Sequence, residues 1–278
     1  MQIGFSLQPH YDIPMEQMIG LLADAGFSTV SPLWSAELDL DNLAKWVRKN
    51  GMDFSFIHAS HKGVPLIWEP ENADSRPVVH GMLDAIDACD RFGIPMLVMH
   101  CWQGLAYTFP TEPLDFRNVD AVVERAVSKE IYIAFENLEG EEYLAAVLER
   151  YEDLPQIGFC WDTGHDICHP HKADYLAAYG DRLIMPHLND NLGVRDPGGV
   201  YCKKDDLHLL PYDGIRDWDD TLARLARAKK QSLLNFEIKV RSKDPEMVPY
   251  EKLSAEEFVT LAAERAQKIA KKYEALTT

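Results

Sequence analysis

Long apolar runs and a surplus of basic residues are both missing from this chain of 278 residues. No apolar run approaches the roughly 18 residues of a membrane-spanning helix, so we expect no transmembrane segment. No basic segment precedes the first apolar strand, so we expect no signal peptide and a cytoplasmic protein. Lys and Arg number 28 against 45 Asp and Glu, a formal net charge of -17. That balance argues against a nucleic-acid partner, because Lys and Arg contacts to phosphates dominate such binding.

Cysteines are few and irregularly placed. The five of them, at positions 89, 101, 160, 168 and 202, are odd in number and form no recognisable disulfide framework. A reducing compartment is the simpler interpretation. A local zinc site of Cys160 and Cys168 with nearby histidines is the less favoured alternative, because Cys160 lies in an apolar strand and the spacing matches no zinc-finger pattern.

A glycine-rich phosphate loop after the first strand is also missing, as is any linker or change of composition. Apolar strands alternate with helical patterns about eight times, which indicates a parallel sheet. An open doubly wound sheet usually carries the missing loop. We therefore predict an α/β fold, a single (β/α)₈ TIM barrel with parallel strands, as one domain over residues 1–278. The long loops at 59–72, 101–114 and 190–213 follow strands, so they would gather at the catalytic face and set specificity.

Six apolar strands end in a side chain of a type that binds metals. One strand runs through Gly158–Trp161 and ends in Asp162, followed by a glycine turn and His165. A buried carboxylate must be paired, hydrogen-bonded or bound to a metal, so packing alone does not explain this ending. A continuous strand predicted over 53–58 ends in His58, and the other four strands end in His100, Glu136, His187 and Glu237.

Four of these side chains are expected to meet on the barrel axis. Side chains alternate across a strand, so the last inward positions of adjacent strands converge. Carboxylates in such a confined space need a compensating charge, and one divalent metal ion is the simplest one. Carboxylates with an imidazole suit Mn²⁺, Co²⁺, Zn²⁺ or Fe²⁺ better than Ca²⁺, and Mg²⁺ remains a further candidate. The predicted ligands are Glu136, Asp162, His187 and Glu237; the alternative is that each has a separate Arg or backbone partner.

Further side chains are candidates for binding a substrate. Asp206 and His208 point the same way if their segment is extended, and a second metal, a substrate group or a solvated loop all remain open. His165 lies just beyond Asp162, within reach of a ligand hydroxyl or a metal. His58 and His100 point at the same cavity or act as hydrogen-bonded core histidines. Trp102 is one of several loop aromatics that suit stacking on a sugar.

Six motifs in chain order resemble the xylose-isomerase-like barrel superfamily, in particular its sugar phosphate isomerase/epimerase members. The motifs are Phe-Glu-Asn at 135–137, Trp-Asp-Thr-Gly-His at 161–165, His-Leu-Asn-Asp-Asn at 187–191, Asp-Leu-His-Leu-Leu-Pro at 206–211, Gly214 with Asp217-Trp218, and Phe-Glu-Ile at 236–238. The resemblance implies that Glu136, Asp162, His187 and Glu237 hold one divalent metal, and that the two Glu move protons on opposite faces of the substrate. It also implies that His165 contacts sugar oxygens. Related epimerases place an Arg where this chain has Gly193, with Arg195 nearby.

The favoured hypothesis is therefore a metal-dependent isomerase or epimerase of a small-molecule carbohydrate, acting through a metal-stabilised enediolate. Glu136 and Glu237 would be its catalytic residues. Endonuclease IV also resembles this chain at nine positions, so a metal-dependent phosphodiesterase is the first alternative. These positions are His58, His100, Glu136, Asp162, His165, His187, Asp206, His208 and Glu237. A lyase acting on an oxidised sugar and a non-catalytic sugar-binding barrel are the others. The sequence leaves open which sugar is bound, whether it is phosphorylated, and whether the chain forms a homo-oligomer.

Overall fold

Nine parallel strands form one sheet in the computed structural model, which describes residues 1–7, 11–104, 109, 113–169, 171–241 and 247–277. The strands are β1 (Gln2–Leu7), β2 (Thr29–Pro32), β3 (Asp53–Phe54), β4 (Ile57–His58), β5 (Met96–His100), β6 (Tyr132–Glu136), β7 (Ile157–Asp162), β8 (Leu183–Leu188) and β9 (Leu233–Phe236). Their order in the sheet is β3-β2-β1-β9-β8-β7-β6-β5-β4.

The two ends of this sheet are halves of one barrel strand. β3 pairs with β2, and β4 pairs with β5, where Ile57 lies opposite Leu97. Ser55 and Phe56 join the halves, and the Ser55 amide donates a hydrogen bond to the Val30 carbonyl at 3.1 Å. Counted this way, eight strands close into a ring. The predicted TIM barrel with parallel strands is confirmed, although the strand expected at 53–58 is interrupted.

Helices follow the strands and pack their apolar faces against the outside of the ring. Local sequence sets several of their ends: Asp39 and Asp217 accept hydrogen bonds from helical amides at N-termini, and Gly93 ends a helix at a positive φ of 70°. None of the helices in the described ranges is long and apolar enough to cross a membrane. The helices are α1 (Met15–Asp24), α2 (Leu40–Lys49), α3 (Ser75–Phe92), α4 (Arg117–Ser128), α5 (Glu141–Arg150), α6 (His165–Cys168), α7 (Tyr175–Tyr179), α8 (Trp218–Arg227) and α9 (Ala255–Thr277).

A small apolar cluster fills the inside of the barrel. Its members come from four strands and the joint between β3 and β4, and all are buried: Phe56, Met96, Val98, Ala134, Cys160 and Met185. Because side chains on one face of a strand recur every two residues, the next inward position lies one layer nearer the carboxyl end. That layer is polar, and it includes His58, His100, Glu136, Asp162 and His187. The alternation of side chains along the strands thus places the candidate ligands in one layer of the barrel.

The long connection between β8 and α8 folds back over this end of the barrel. Asp190 and Leu209 pair in antiparallel fashion, with amide-to-carbonyl distances of 2.7 and 2.8 Å. The Asp190 carboxylate also accepts hydrogen bonds from the Tyr212 amide and the Trp218 indole. Asp206 and His208 lie in the part of the chain between Asp190 and Leu209, so Asp190 fixes the segment that carries them.

Candidate metal centre

Glu136, at the end of β6, lies at the middle of a buried cluster of imidazoles. Its Oε2 atom lies 3.0 Å from Nε2 of His58 and 3.0 Å from Nε2 of His100. Its Oε1 atom lies 3.0 Å from Nδ1 of His187. Glu237, immediately after β9, brings its Oε2 atom to 2.6 Å from that same nitrogen. Two carboxylates from different strands therefore converge on one imidazole.

This geometry fits a bound cation. The Nδ1 atom of His187 carries at most one hydrogen, yet oxygens of Glu136 and Glu237 both lie within 3.0 Å of it. One nitrogen cannot donate that hydrogen to both acceptors in full, whereas a metal ion accepts several donors at once. His58, Glu136, His187 and Glu237 each offer one donor atom, and these atoms lie within 4.8 Å of one another. Mixed nitrogen and oxygen donors suit divalent transition metals.

The electrostatics of the cluster keep its carboxylates ionised. Burial by itself would raise the pKa of Glu136, but the charge of His187 and hydrogen bonds from His100, His187 and His58 outweigh it and hold that pKa well below its usual value. Burial would lower the pKa of His58, and the hydrogen bond to Glu136 reverses the effect and raises it. The raised pKa of His58 favours the protonated form of its ring beside the Glu136 carboxylate. Metal binding would release that proton, because a metal and a proton compete for the same nitrogen.

Asp162, at the end of β7, lies in a neighbouring group of donors. Its Oδ1 accepts a hydrogen bond from the His165 amide at 2.7 Å, and its Oδ2 accepts one from the Asn189 side chain at 2.8 Å. Together with His165 and His208 it forms a second set of donor atoms within 4.8 Å of one another. The structure thus places His58, rather than Asp162, in the group that contains Glu136. The metal role of Asp162 stays a prediction.

Asn137, the residue after Glu136, connects the ends of β6 and β7. Its side chain donates a hydrogen bond to the Asp162 carbonyl at 2.9 Å and accepts one from the Asp162 amide at 2.7 Å. Its backbone carbonyl oxygen lies 2.9 Å from Nδ1 of His165. These contacts fix the backbone of Asp162 and the ring of His165 beside β6, so the two groups of donors have a defined relative position.

The carboxylate of Asp206 lies close to three nitrogen atoms, two from histidines of the second group and one from a lysine. Its Oδ1 atom lies 2.9 Å from Nε2 of His208 and 3.6 Å from Nε2 of His165, and its Oδ2 atom lies 2.7 Å from Nζ of Lys239. Burial opposes the charged form, but His208 and Lys239 outweigh it and hold the pKa of Asp206 well below its usual value. His208 adopts a left-handed φ of 49°, which is uncommon for a residue with a side chain. Its Nδ1 atom lies 3.1 Å from the Glu237 carbonyl oxygen.

A cavity of about 440 Å³ opens above both groups. Six of the side chains predicted from the sequence line it, namely His58, His100, His165, Asp206, His208 and Glu237. The other five predicted site residues are absent from the described residues that line it: the deeply buried Glu136, Asp162 and His187, and also Arg195 and Trp102. Arg195 pairs with Asp205 at 3.0 Å, and the Trp102 ring stacks on Tyr143 with centroids 4.6 Å apart. Residues 105–108 and 110–112 of the loop at 101–114 lie outside the described residues.

Several side chains that line this cavity were not predicted from the sequence, among them Glu139, His169, Tyr201 and Lys239. Oε2 of Glu139 lies 2.8 Å from Nδ1 of His169, and Nε2 of His169 lies 3.2 Å from the Tyr201 hydroxyl. Glu139 and Lys239 come shortly after the predicted ligands Glu136 and Glu237, so a polar residue just past a strand end is the signal in the sequence for both. Tyr201 lies in a long loop and carries no such signal.

The chain matches the family model described as xylose isomerase-like TIM barrel over residues 19–263. It therefore belongs to that family, and the resemblance seen in the sequence is confirmed. The uncharacterized protein y4fM of Sinorhizobium fredii is 28% identical over 268 residues, with 82% of each chain covered.

Two solved structures show the same fold. The IOLI protein with a binding zinc atom superposes with a TM-score of 0.72 at 15% identity, over 98% of this chain and 99% of that one. An L-ribulose 3-epimerase superposes with a TM-score of 0.68 at 15% identity, over 100% of this chain and 99% of that one. At these identities the likeness concerns the fold alone.

Proposed function

We propose that this chain is a metal-dependent isomerase or epimerase that moves a proton at a carbon next to the carbonyl of a sugar or sugar derivative. The observation that carries the proposal is the meeting of Glu136 and Glu237 at His187, at the inner end of a cavity. The family and the fold shared with an L-ribulose 3-epimerase support it. The proposed ligands of a single divalent ion are Glu136, Asp162, His187 and Glu237, with His58 as a further donor.

A bound divalent ion would act as a Lewis acid that polarises the substrate carbonyl. Glu237 lines the cavity, so its carboxylate is positioned to take a proton from a substrate carbon. Glu136 is more deeply buried, 2% exposed against 7% for Glu237, and we assign it the return of the proton. Because both carboxylates have a lowered pKa, they are weak bases, and their contribution depends on holding the substrate at short distance.

The remaining polar side chains of the cavity wall are assigned to substrate hydroxyls. His165, Asp206 and His208 line the same space as Glu237. Their hydrogen bonds would orient a polyhydroxylated chain and fix which carbon lies next to Glu237. The linked side chains of Glu139, His169 and Tyr201 line the same cavity and offer a hydroxyl at one end. Orientation of this kind lowers the barrier by removing rotational freedom before the reaction.

Exchange of substrate carbon-bound hydrogen for deuterium tests the proposal. The protein, loaded with Zn²⁺ or Mg²⁺, is incubated in D₂O with a panel of ketoses, keto-sugars and their phosphates, and proton NMR follows the signal loss. Glu237→Gln and Glu136→Gln should each slow exchange by about 10²- to 10⁴-fold, the usual contribution of a positioned acid or base. Glu149→Gln, an exposed change on α5, is the matched control.

Near-normal exchange in either variant would reject the assigned roles. A loaded protein that exchanges no hydrogen in any member of the panel would reject the proposal itself. The lyase alternative begins with the same proton removal, and the same spectra would reveal it as loss of water from the substrate.

A metal-dependent phosphodiesterase is the second candidate, because further donor groups lie beside the first. Asp162, His165 and His208 form one such group, and His165, His169 and Asp206 form another. Phosphodiester hydrolysis at such a site would use two or three ions. Hydrolysis of bis(p-nitrophenyl) phosphate together with more than one tightly bound ion per chain would favour it over sugar chemistry.

A further inference from the structure

We propose that the ammonium group of Lys239 takes the place of a second metal ion, so that the chain binds one divalent ion at the barrel mouth. The inference rests on the metal centre of the proposed function. It adds a reason why the donor atoms around Asp206 do not bind a second ion. It concerns a residue that the predicted ligand set does not include.

The neighbouring donors would otherwise suit a metal. His165, His169 and Asp206 each offer a donor atom within 4.8 Å of the others. His165 and His208 also lie within this distance of Asp162, a proposed ligand of the first ion. Imidazole nitrogens with one or two carboxylate oxygens are typical ligands of zinc and similar ions. The donor types therefore give no reason for a single ion.

Lys239 supplies that reason. Its Nζ lies 2.7 Å from Oδ2 of Asp206, while Oδ1 of the same carboxylate lies 2.9 Å from Nε2 of His208. Each oxygen of Asp206 thus has a nitrogen partner at close range. A divalent ion at this carboxylate would also lie a few ångströms from a fixed positive charge, at a distance where repulsion is strong in a partly buried site.

The backbone fixes this arrangement. Lys239 lies just beyond Glu237 in the chain, and its amide donates a hydrogen bond to the His208 carbonyl at 3.0 Å. His208 in turn lies 3.1 Å, through Nδ1, from the Glu237 carbonyl. The strand end that carries a predicted ligand therefore also carries the ammonium group and holds the histidine beside it. An ammonium has three hydrogens, and Lys239 lines the cavity, so it can bind Asp206 and a substrate oxygen together.

Counting bound Zn²⁺ tests the inference without any activity measurement. Wild type, Lys239→Gln and Lys239→Arg are titrated with Zn²⁺, and the ions retained per chain are measured by plasma mass spectrometry. We expect one ion in wild type, two in Lys239→Gln and one in Lys239→Arg, which keeps the charge. The second ion in Lys239→Gln should bind at least about tenfold more tightly than any second ion in wild type, because the repulsion is gone. Lys62→Gln, an exposed change on the same cavity, should retain one ion.

A double variant locates the new ion. Lys239→Gln combined with Glu237→Gln should bind the first ion more weakly and leave the affinity for the second ion unchanged. Two or three tightly bound ions in wild type, or only one in Lys239→Gln, would overturn the inference alone. No ion in wild type would overturn it together with the metal centre of the proposed function. If Lys239→Gln lacks the near-ultraviolet circular dichroism of wild type, Lys239→Met serves as the neutral variant, and the wild-type count remains decisive.

Discussion

Replacing Asp190 by asparagine tests whether one buried carboxylate holds the loop over the barrel mouth. Asp190 is fully buried, and both of its oxygens accept hydrogen bonds. Oδ1 accepts from the Asn191 amide at 2.8 Å and the Arg216 amide at 3.0 Å. Oδ2 accepts from the Tyr212 amide at 3.0 Å and the Trp218 indole at 2.9 Å. These donors come from both ends of the loop.

The magnitude follows from the number of acceptors lost. An asparagine keeps one oxygen, so the two donors at the other oxygen lose their partner, and the new NH₂ group points at them. A buried donor left without a partner costs about 1–3 kcal/mol, so Asp190→Asn should lower the free energy of unfolding by about 2–6 kcal/mol. A protein of this size loses about 2–4 °C of thermal midpoint per kcal/mol, which gives a drop of roughly 4–24 °C.

Thermal and urea unfolding, followed by circular dichroism and tryptophan fluorescence, measure the effect. Asp196→Asn is the control: Asp196 lies in the same loop but is exposed, and its carboxylate accepts from the Gly198 and Val200 amides. Its replacement should cost less than about 1 kcal/mol, as most surface changes do. A loss below about 1 kcal/mol in Asp190→Asn would refute the role given to the carboxylate.

Three further predictions concern metal binding, the residue that holds a proposed metal ligand in place, and an ion pair between outer helices. Zn²⁺ at 100 times its dissociation constant should stabilise the fold by about 2.7 kcal/mol, and Glu237→Gln should reduce this gain. Gly164→Ala should weaken Zn²⁺ binding by roughly 10- to 100-fold, because the new methyl group would collide with Asn189, which holds Asp162. Burial acts to raise the pKa of Asp120, but hydrogen bonds from Arg150 and Tyr151 outweigh it and lower that pKa. The ionised Asp120 therefore stabilises the folded state above about pH 4, and this stabilisation is lost as the pH falls through the folded-state pKa. Asp120→Asn should therefore cost about 1 kcal/mol at neutral pH and flatten the acid side of the stability profile.

Thermal unfolding with and without a chelator measures the stabilisation by Zn²⁺. An equal stabilisation of wild type and Glu237→Gln would contradict the prediction. Zn²⁺ titration measures the effect of Gly164→Ala, with Gly81→Ala as control because a methyl group there meets no neighbour within 4 Å. Unchanged Zn²⁺ affinity in Gly164→Ala would show that Asn189 gives no support to the metal site. Urea unfolding from neutral to acid pH measures the contribution of Asp120 to the free energy of unfolding. An acid limb that is equally steep in Asp120→Asn and wild type would contradict the assignment.

Strand ends could be predicted because two local rules act together. Apolar runs identify the strands, and the alternation of side chains places every second residue inside the barrel. The buried inner cluster that contains Val98, Ala134 and Met185 shows that this parity holds, since a predicted site residue follows each of them at the next inward position. The interruption of the strand around Ser55 was not foreseen, because the apolar pattern on both sides of it favours one strand.

The division of the donors into groups could not be predicted in the same way, because it depends on contacts between segments far apart in the chain. Parity puts Asp162 inside the barrel, but Asn189 and the His165 amide hold its carboxylate in the second group. Lys239 lies close to Asp206 because the loop folds back over the barrel mouth, where Asp190 pairs with Leu209 and the Lys239 amide binds the His208 carbonyl. Such contacts decide which carboxylates remain available to a metal ion. The number of metal ions that the site would bind therefore depends on the loops, because the strands alone provide enough donor atoms for one ion or for several.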